Sequence, residues 1–215
     1  DVPALLQALD RYPYGCSEQT VSRAMPLLYV NKLASLDRLG IDDKVDERVR
    51  EAIDRVLSRQ DASGDFGLWS VGGSSDVWLN AYVTDFLTRA RERGFAVPQT
   101  AFANALDRLR NAVANTTEVG DGGMDIAYAA YVLARNGRPV MGDLRYLADT
   151  KIGDFSSALG RAQLAAALAL LAGTAALVPL IPTNLLGDSG QNSFVVTAEQ
   201  EPGASLETTA AAAER

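Results

Sequence analysis

The residues best equipped for chemistry lie in one short stretch, Tyr12-Pro-Tyr-Gly-Cys-Ser-Glu-Gln-Thr20. It holds the only cysteine of the chain, Cys16, three residues before Gln19. A thiol can attack the carbon of a glutamine carboxamide and expel ammonia. The product is an internal thioester from Cys16 Sγ to Gln19 Cδ. Side chains three apart on a helical turn are neighbours, so the spacing suits ring closure at the start of a helix. Gly15 is expected to free the backbone for an unusual conformation just before the thiol, and Pro13 to stiffen the approach.

A thioester is an activated acyl group. Water, an amine or a hydroxyl can attack Gln19 Cδ with the Cys16 thiolate as leaving group. A thiolate leaves far more easily than an amide nitrogen because a thiol is a much stronger acid. Such a bond must be kept from water until used, and Tyr12 and Tyr14, which flank the thiol, could supply part of the cover. One encounter consumes the bond, so this is covalent capture and not turnover. Two plainer readings compete: a cysteine that merely packs at a helix N-terminus, and a redox-sensing thiol, which would have no second cysteine to resolve it.

Composition removes many other chemistries. The 215 residues are 47% hydrophobic, 22% charged and 7% aromatic. This fits one domain, or one plus part of a second, and excludes wholesale disorder. One cysteine allows no internal disulfide and no multi-cysteine zinc site. The absence of histidine excludes Ser-His-Asp or Cys-His catalysis within the chain. No metal and no cofactor are expected. A net charge of −7 argues against a nucleic-acid footprint. The chain opens DVPALLQALDRYP, without a basic segment and apolar run, so no signal peptide is expected there. The missing initiator Met is what an excised fragment would show.

The elements that must position the site read as helices. Apolar residues at Val45, Val49, Ala52, Ile53, Val56 and Leu57 form one stripe, with charge behind it. Further helices are predicted over Val77–Arg93 (N-cap Ser75 or Asp76, stop at Gly94), from after Thr100 to Val113, and over Asp125–Asn136 with a stop at Gly137. Another is predicted from after Ser156 or Ser157 through Leu171. Glu18–Leu39 is helix-like, with Pro26 expected to kink it or mark a restart. The only strand-like stretch is Ser193–Thr197.

Helices 45–59 and 100–113 carry one apolar stripe. Those at 77–88, 125–135 and 158–172 are apolar on most sides. Such alternation suits two concentric rings of helices, an all-α fold of the α/α toroid type, incomplete if residues 173–215 are an irregular tail. The domain boundaries are therefore set at 1–172 and 173–215. Glycine-rich loops, Gly64-Asp-Phe-Gly-Leu-Trp69 and Gly120-Asp-Gly-Gly-Met124, precede the inner-type helices and would let backbones pack closely. Leu164–Leu186 is uncharged and long enough to span a bilayer. Its alanine content and its Gly173, Pro179 and Pro182 favour a buried inner helix over a membrane span.

Pro13-Tyr-Gly-Cys-Ser-Glu-Gln19 resembles the thioester motif of the α2-macroglobulin and complement superfamily. With Tyr12 before it and Thr20 and Arg23 after it, the stretch is most similar to bacterial α2-macroglobulins. Cys-x-Glu-Gln alone would occur by chance in about one chain in a hundred of this length; Pro13 and Gly15 at fixed offsets lower that by a factor of roughly several hundred. The resemblance extends over roughly residues 5–172, through Gly64–Trp69, Trp78–Tyr82 and Ala127–Arg135. It implies an α/α toroid thioester domain of a periplasmic protease inhibitor, with the parent protein anchored to the inner membrane as a lipoprotein. It also implies that bait cleavage elsewhere exposes the thioester, which acylates a lysine of the attacking protease. Target proteases and other domains of the parent are thus the expected partners. Tyr12 would shield the bond, and Glu18 is a motif residue without an assigned role. Ser17 stands where many bacterial members carry Leu. No histidine is present to promote transfer to hydroxyls, so amines are the expected nucleophiles.

Two other classes remain open to the residues themselves. A glycosidase or cyclase on a similar toroid would need convergent carboxylates, for which Asp61, Asp65 and Asp76 are the candidates, although the same residues suit helix and turn caps. A non-covalent helical binding module is the third. Three Lys against seventeen Arg suggest a GC-rich bacterial source.

Overall fold

The computed structural model describes residues 15–33, 44–116 and 119–177. Tyr12, Pro13, Tyr14, the Ser193–Thr197 stretch and the rest of the expected tail beyond Leu177 lie outside the described residues. Among the described residues seven α-helices follow one another: α1 Ser17–Leu33, α2 Val45–Leu57, α3 Val77–Glu92, α4 Gln99–Ala114, α5 Met124–Arg135, α6 Met141–Thr150 and α7 Ala158–Leu177. Among the described residues the only β pairing is an isolated bridge between Gln60 and Phe66. The helices up to Ala175 belong to one compact unit, and Ala176 begins a second.

The α2 stripe expected from its spacing is the one buried: Val45, Val49, Ala52, Ile53 and Val56. Asp46 and Glu47 in its first turn and Arg55 in its last complement the helix dipole. Helix α3 starts where Asp76 accepts a hydrogen bond from the Leu79 amide at 2.7 Å. It is buried on most sides, and its buried Thr84 and Thr88 hydroxyls donate one turn back, to Asn80 O and Thr84 O, both at 2.7 Å. These two hydroxyl protons are thus satisfied within the helix. Helices α1, α2, α4 and α5 all pack on α3, and α4 also packs on α5. The two central helices and their half-buried neighbours follow the alternation that the sequence predicts.

Three expectations need correction. Pro26 does not restart a helix, since α1 runs through it without a break. Its missing amide costs the helix one hydrogen bond, and tertiary packing of Val21, Ala24 and Leu28 holds the turn. Helix α7 is not a buried inner helix: only Gly160, Leu164 and Ala167 are buried, while Leu159 and Leu177 are 59% and 61% exposed. An alanine-rich helix reads as apolar on all sides whether or not neighbours cover it. It also continues past Leu171, through Gly173, to Leu177. By length and composition it could cross a membrane, yet its buried face packs into the common core. Helix α6 escapes the sequence reading altogether. It is short, has no side-chain cap at its start, and buries only Leu144 and Leu147, too few to set a period.

A buried charge cluster locks α3 to α5. Asp85 accepts hydrogen bonds from Arg89 Nε at 3.0 Å and from the Tyr128 hydroxyl at 2.9 Å. Its second oxygen lies 3.8 Å from Arg135 Nη1, an ion pair without a hydrogen bond. Burial, and then the Asp85 charge, push the Tyr128 phenol above its ordinary pKa, so it stays a donor. Arg135 also grips Glu92 with two hydrogen bonds, at 2.9 and 2.6 Å.

Candidate functional site

The site is the first turn of α1. The Cys16 carbonyl accepts the first intrahelical bond, from Thr20 N at 2.9 Å, which makes Cys16 the N-cap and Gln19 the third helical residue. The Gln19 amide donates to Cys16 Sγ at 3.5 Å. In return the Cys16 amide donates to the Gln19 carboxamide oxygen, Oε1, at 3.3 Å. This is the reciprocal arrangement of a capping box, with sulfur in place of the usual hydroxyl. The need to satisfy two orphan helix amides thereby brings the thiol and the carboxamide together.

The two partners face different surroundings. Cys16, an unpaired thiol, is 5% exposed. Gln19 is exposed, and so is Glu18, whose charge in the first turn of α1 complements the helix dipole. The sulfur is thus buried while the glutamine is exposed.

Gly15 lies directly before the thiol and is buried. Its value is room: a β-carbon there would stand 2.6 Å from Arg23 Nη2. Arg23 reaches back over this turn, with Nε 3.3 Å from Gln19 O.

The turn is seated on the loop between α2 and α3. The Ser17 amide donates to Leu68 O at 2.8 Å, and the buried Ser17 hydroxyl donates to Gly67 O at 2.7 Å. Arg59 ties loop and turn together. Its Nη2 donates to Gly15 O at 2.9 Å, and its Nη1 reaches Ser17 Oγ at 3.3 Å and Leu68 O at 3.4 Å. Burial and the nearby Arg55 pull the Arg59 pKa down, and Cys16 pulls it up. Asn80 shapes the loop from below: its side-chain oxygen accepts from Phe66 N at 2.9 Å, and its amide donates to Asp65 at 2.8 Å. Gly64 has φ +89°, and a β-carbon there would meet the Asn104 backbone, the close packing expected of this glycine.

Sequence reasoning finds Cys16 and Gln19 and misses Arg59 and Asn80. Arg59 follows a charged helix and resembles any surface arginine. Asn80 gave one signal, a polar residue inside an otherwise apolar helix. The three loop aspartates serve as caps and anchors: Asp61 accepts from Ser63 N and Asp65 N, Asp76 caps α3, and Asp65 pairs with Arg108 at 2.9 Å. Hydrogen bonding by Ser63, then by Asp65, lowers the Asp61 pKa. Among the described residues no group of three or more acidic, histidine or cysteine side chains could hold a metal.

The chain is similar to known proteins. The family model described as the A-macroglobulin TED domain matches residues 1–115. The α2-macroglobulin of Escherichia coli (strain K12) is 36% identical over 181 residues, covering 78% of this chain and 11% of that protein. The structure of trypsin-activated E. coli α2-macroglobulin is similar with a TM-score of 0.66 and 37% identity, over 74% of this chain and 12% of that one. The structure of Salmonella α2-macroglobulin reacted with methylamine gives 0.67 and 36%, over 77% and 12%. The chain thus spans about a ninth of the curated relative's length. With the helices, the motif and the family model in agreement, this all-α chain belongs to the A-macroglobulin TED-domain family, beside the bacterial α2-macroglobulins.

Proposed function

We propose that this chain forms an internal thioester between Cys16 and Gln19 and uses it once, to acylate an amine of an attacking protease. The observation that carries the reading is the reciprocal cap, in which the thiol and the carboxamide oxygen each accept from the other residue's backbone amide, with Cys16 buried and Gln19 exposed. Two relatives support it: the Salmonella protein was reacted with methylamine, and the E. coli protein was activated by trypsin. A lysine amine is the nucleophile, since the chain has no histidine to favour hydroxyls. Tyr12 and Tyr14 cover the bond until bait cleavage elsewhere in the parent protein, and the parent acts in the periplasm, held to the inner membrane.

Intact mass with and without methylamine tests the chemistry, on the protein as its gene encodes it. The untreated protein should be lighter by one ammonia, methylamine should add at Gln19, and Cys16→Ala should do neither. Glutamate at position 19 would record a thioester that formed and hydrolysed. An unchanged amide at Gln19 that takes up no methylamine overturns the reading.

A further inference from the structure

We propose that the Gly15–Cys16 peptide is the oxyanion site for this acyl chemistry, and that Arg59 sets and polarises it; the proposal rests on the thioester reading above. Both ends of one peptide unit are engaged. At its carbonyl end Gly15 O accepts from Arg59 Nη2 at 2.9 Å. At its amide end Cys16 N donates to Gln19 Oε1 at 3.3 Å. The two ends are joined by amide resonance. A cation on the oxygen draws electron density from the nitrogen and makes its N–H a stronger donor, as hydrogen bonds in series strengthen one another.

Gln19 Oε1 is the atom on which negative charge collects. In closure, Sγ bonds to Cδ, the Cδ–N bond breaks, and ammonia leaves with the thiol proton. In capture, the amine nitrogen bonds to Cδ, the Cδ–Sγ bond breaks, and the proton shed by nitrogen ends on the sulfur. Both steps pass through a tetrahedral carbon whose oxygen is an anion. A donor already aimed at that oxygen favours the anion over the planar states on either side. Cys16 supplies sulfur from its side chain and this donor from its backbone.

Arg59 suits the task because it is held in place. Its own carbonyl accepts from Gly67 N at 3.1 Å, and its second nitrogen binds Ser17 Oγ and Leu68 O. The guanidinium remains a cation at any working pH. It acts through the peptide and is a positioning residue.

The test uses the protein as its gene encodes it, with Arg59→Gln, Arg59→Lys and Gln60→Ala. Gln60 anchors the same loop through Ala101 O at 2.9 Å but does not touch the peptide. Thioester content is read by intact mass, and capture as the methylamine rate of thioester already formed. Arg59→Gln should slow capture about tenfold, less than the roughly hundredfold loss that follows deletion of a donor outright. Arg59→Lys, which keeps a cation, should recover part of the rate. Gln60→Ala should lower Tm and leave the rate unchanged.

Capture by Arg59→Gln at the wild-type rate overturns the proposal, as does an equal loss in Gln60→Ala, since slackening of the loop would then explain both. A wild-type protein with an intact Gln19 amide and no amine uptake sinks the thioester reading as well, so the two failures are distinct. If the Arg59 variants do not fold, infrared difference spectra of wild type labelled with 13Cδ-glutamine decide. The thioester carbonyl band should lie below that of a thioester in a solvent without donors; a band at the unbonded position overturns the proposal.

Discussion

Asn80 holds Phe66 by its backbone amide at 2.9 Å, and the next two carbonyls along the loop, Gly67 O and Leu68 O, are the ones that receive Ser17. One buried side chain on α3 therefore fixes the platform on which the thiol-bearing turn rests. Removing it leaves the Phe66 amide buried and unpaired, which is more costly than losing a solvated bond. Asn80→Ala should destabilise the protein by about 2–4 kcal/mol in urea unfolding, with less amine taken up per molecule. An Asn80→Ala protein of wild-type stability would show that the loop holds itself.

Stability and chemistry separate at Cys16. A hydroxyl is a better N-cap acceptor than a thiol, so Cys16→Ser restores the ordinary capping box. Its stability should equal wild type or exceed it by about 0.5 kcal/mol, while methylamine uptake disappears. Thermal melts and intact mass on one preparation check both halves.

The two glycines near the site should respond differently. Gly15→Ala has only the end of the Arg23 side chain to displace, whereas Gly64→Ala drives a β-carbon into the Asn104 backbone at positive φ. The first should cost about 1 kcal/mol or less, and the second roughly 2–4 kcal/mol. Denaturation midpoints of the two variants provide the comparison.

The clamp of Glu92 by Arg135 predicts a pH dependence. Its hydrogen bond from Arg135 lowers the Glu92 carboxyl pKa below its ordinary 4.5. A depressed folded-state pKa adds stability that is complete above the unfolded value and lost as pH falls through the folded one. The Tm gap between wild type and Glu92→Gln should therefore be constant above about pH 5.5 and shrink below about pH 4.5. A gap that is flat from pH 6 to 3 would remove the clamp from the stability account.

The buried cluster at Asp85 joins α3 to α5. Asp85→Ala would leave Arg89 and Tyr128 without their shared acceptor. The expected loss is about 3–5 kcal/mol, against about 1 kcal/mol for Tyr128→Phe. Paired chemical denaturation curves settle the order.

Periodicity made α2 and α4 legible in the sequence, because each buries a stripe at helical spacing, and α3 and α5 were legible as apolar runs bounded by caps and glycines. The pairing of Cys16 and Gln19 was legible because it is local, within one turn. Arg59 and Asn80 were not, since what they do depends on residues 44 and 14 positions away that only the fold brings near. The crowding of Gly15 by Arg23 leaves no trace in sequence spacing. Helix α7 misled because apolar composition records what a helix can bury and not what surrounds it.

On the proposed thioester chemistry, the division at the first turn of α1, Cys16 buried and Gln19 exposed, would give a spent molecule a particular character. A captured passenger would ride in solvent on a short leash, while the sulfhydryl it displaced stays in the interior. A used copy and an unused one would then resist alkylating reagents equally when folded. Only on unfolding would the used copy reveal, by its newly reactive sulfhydryl, that it had fired.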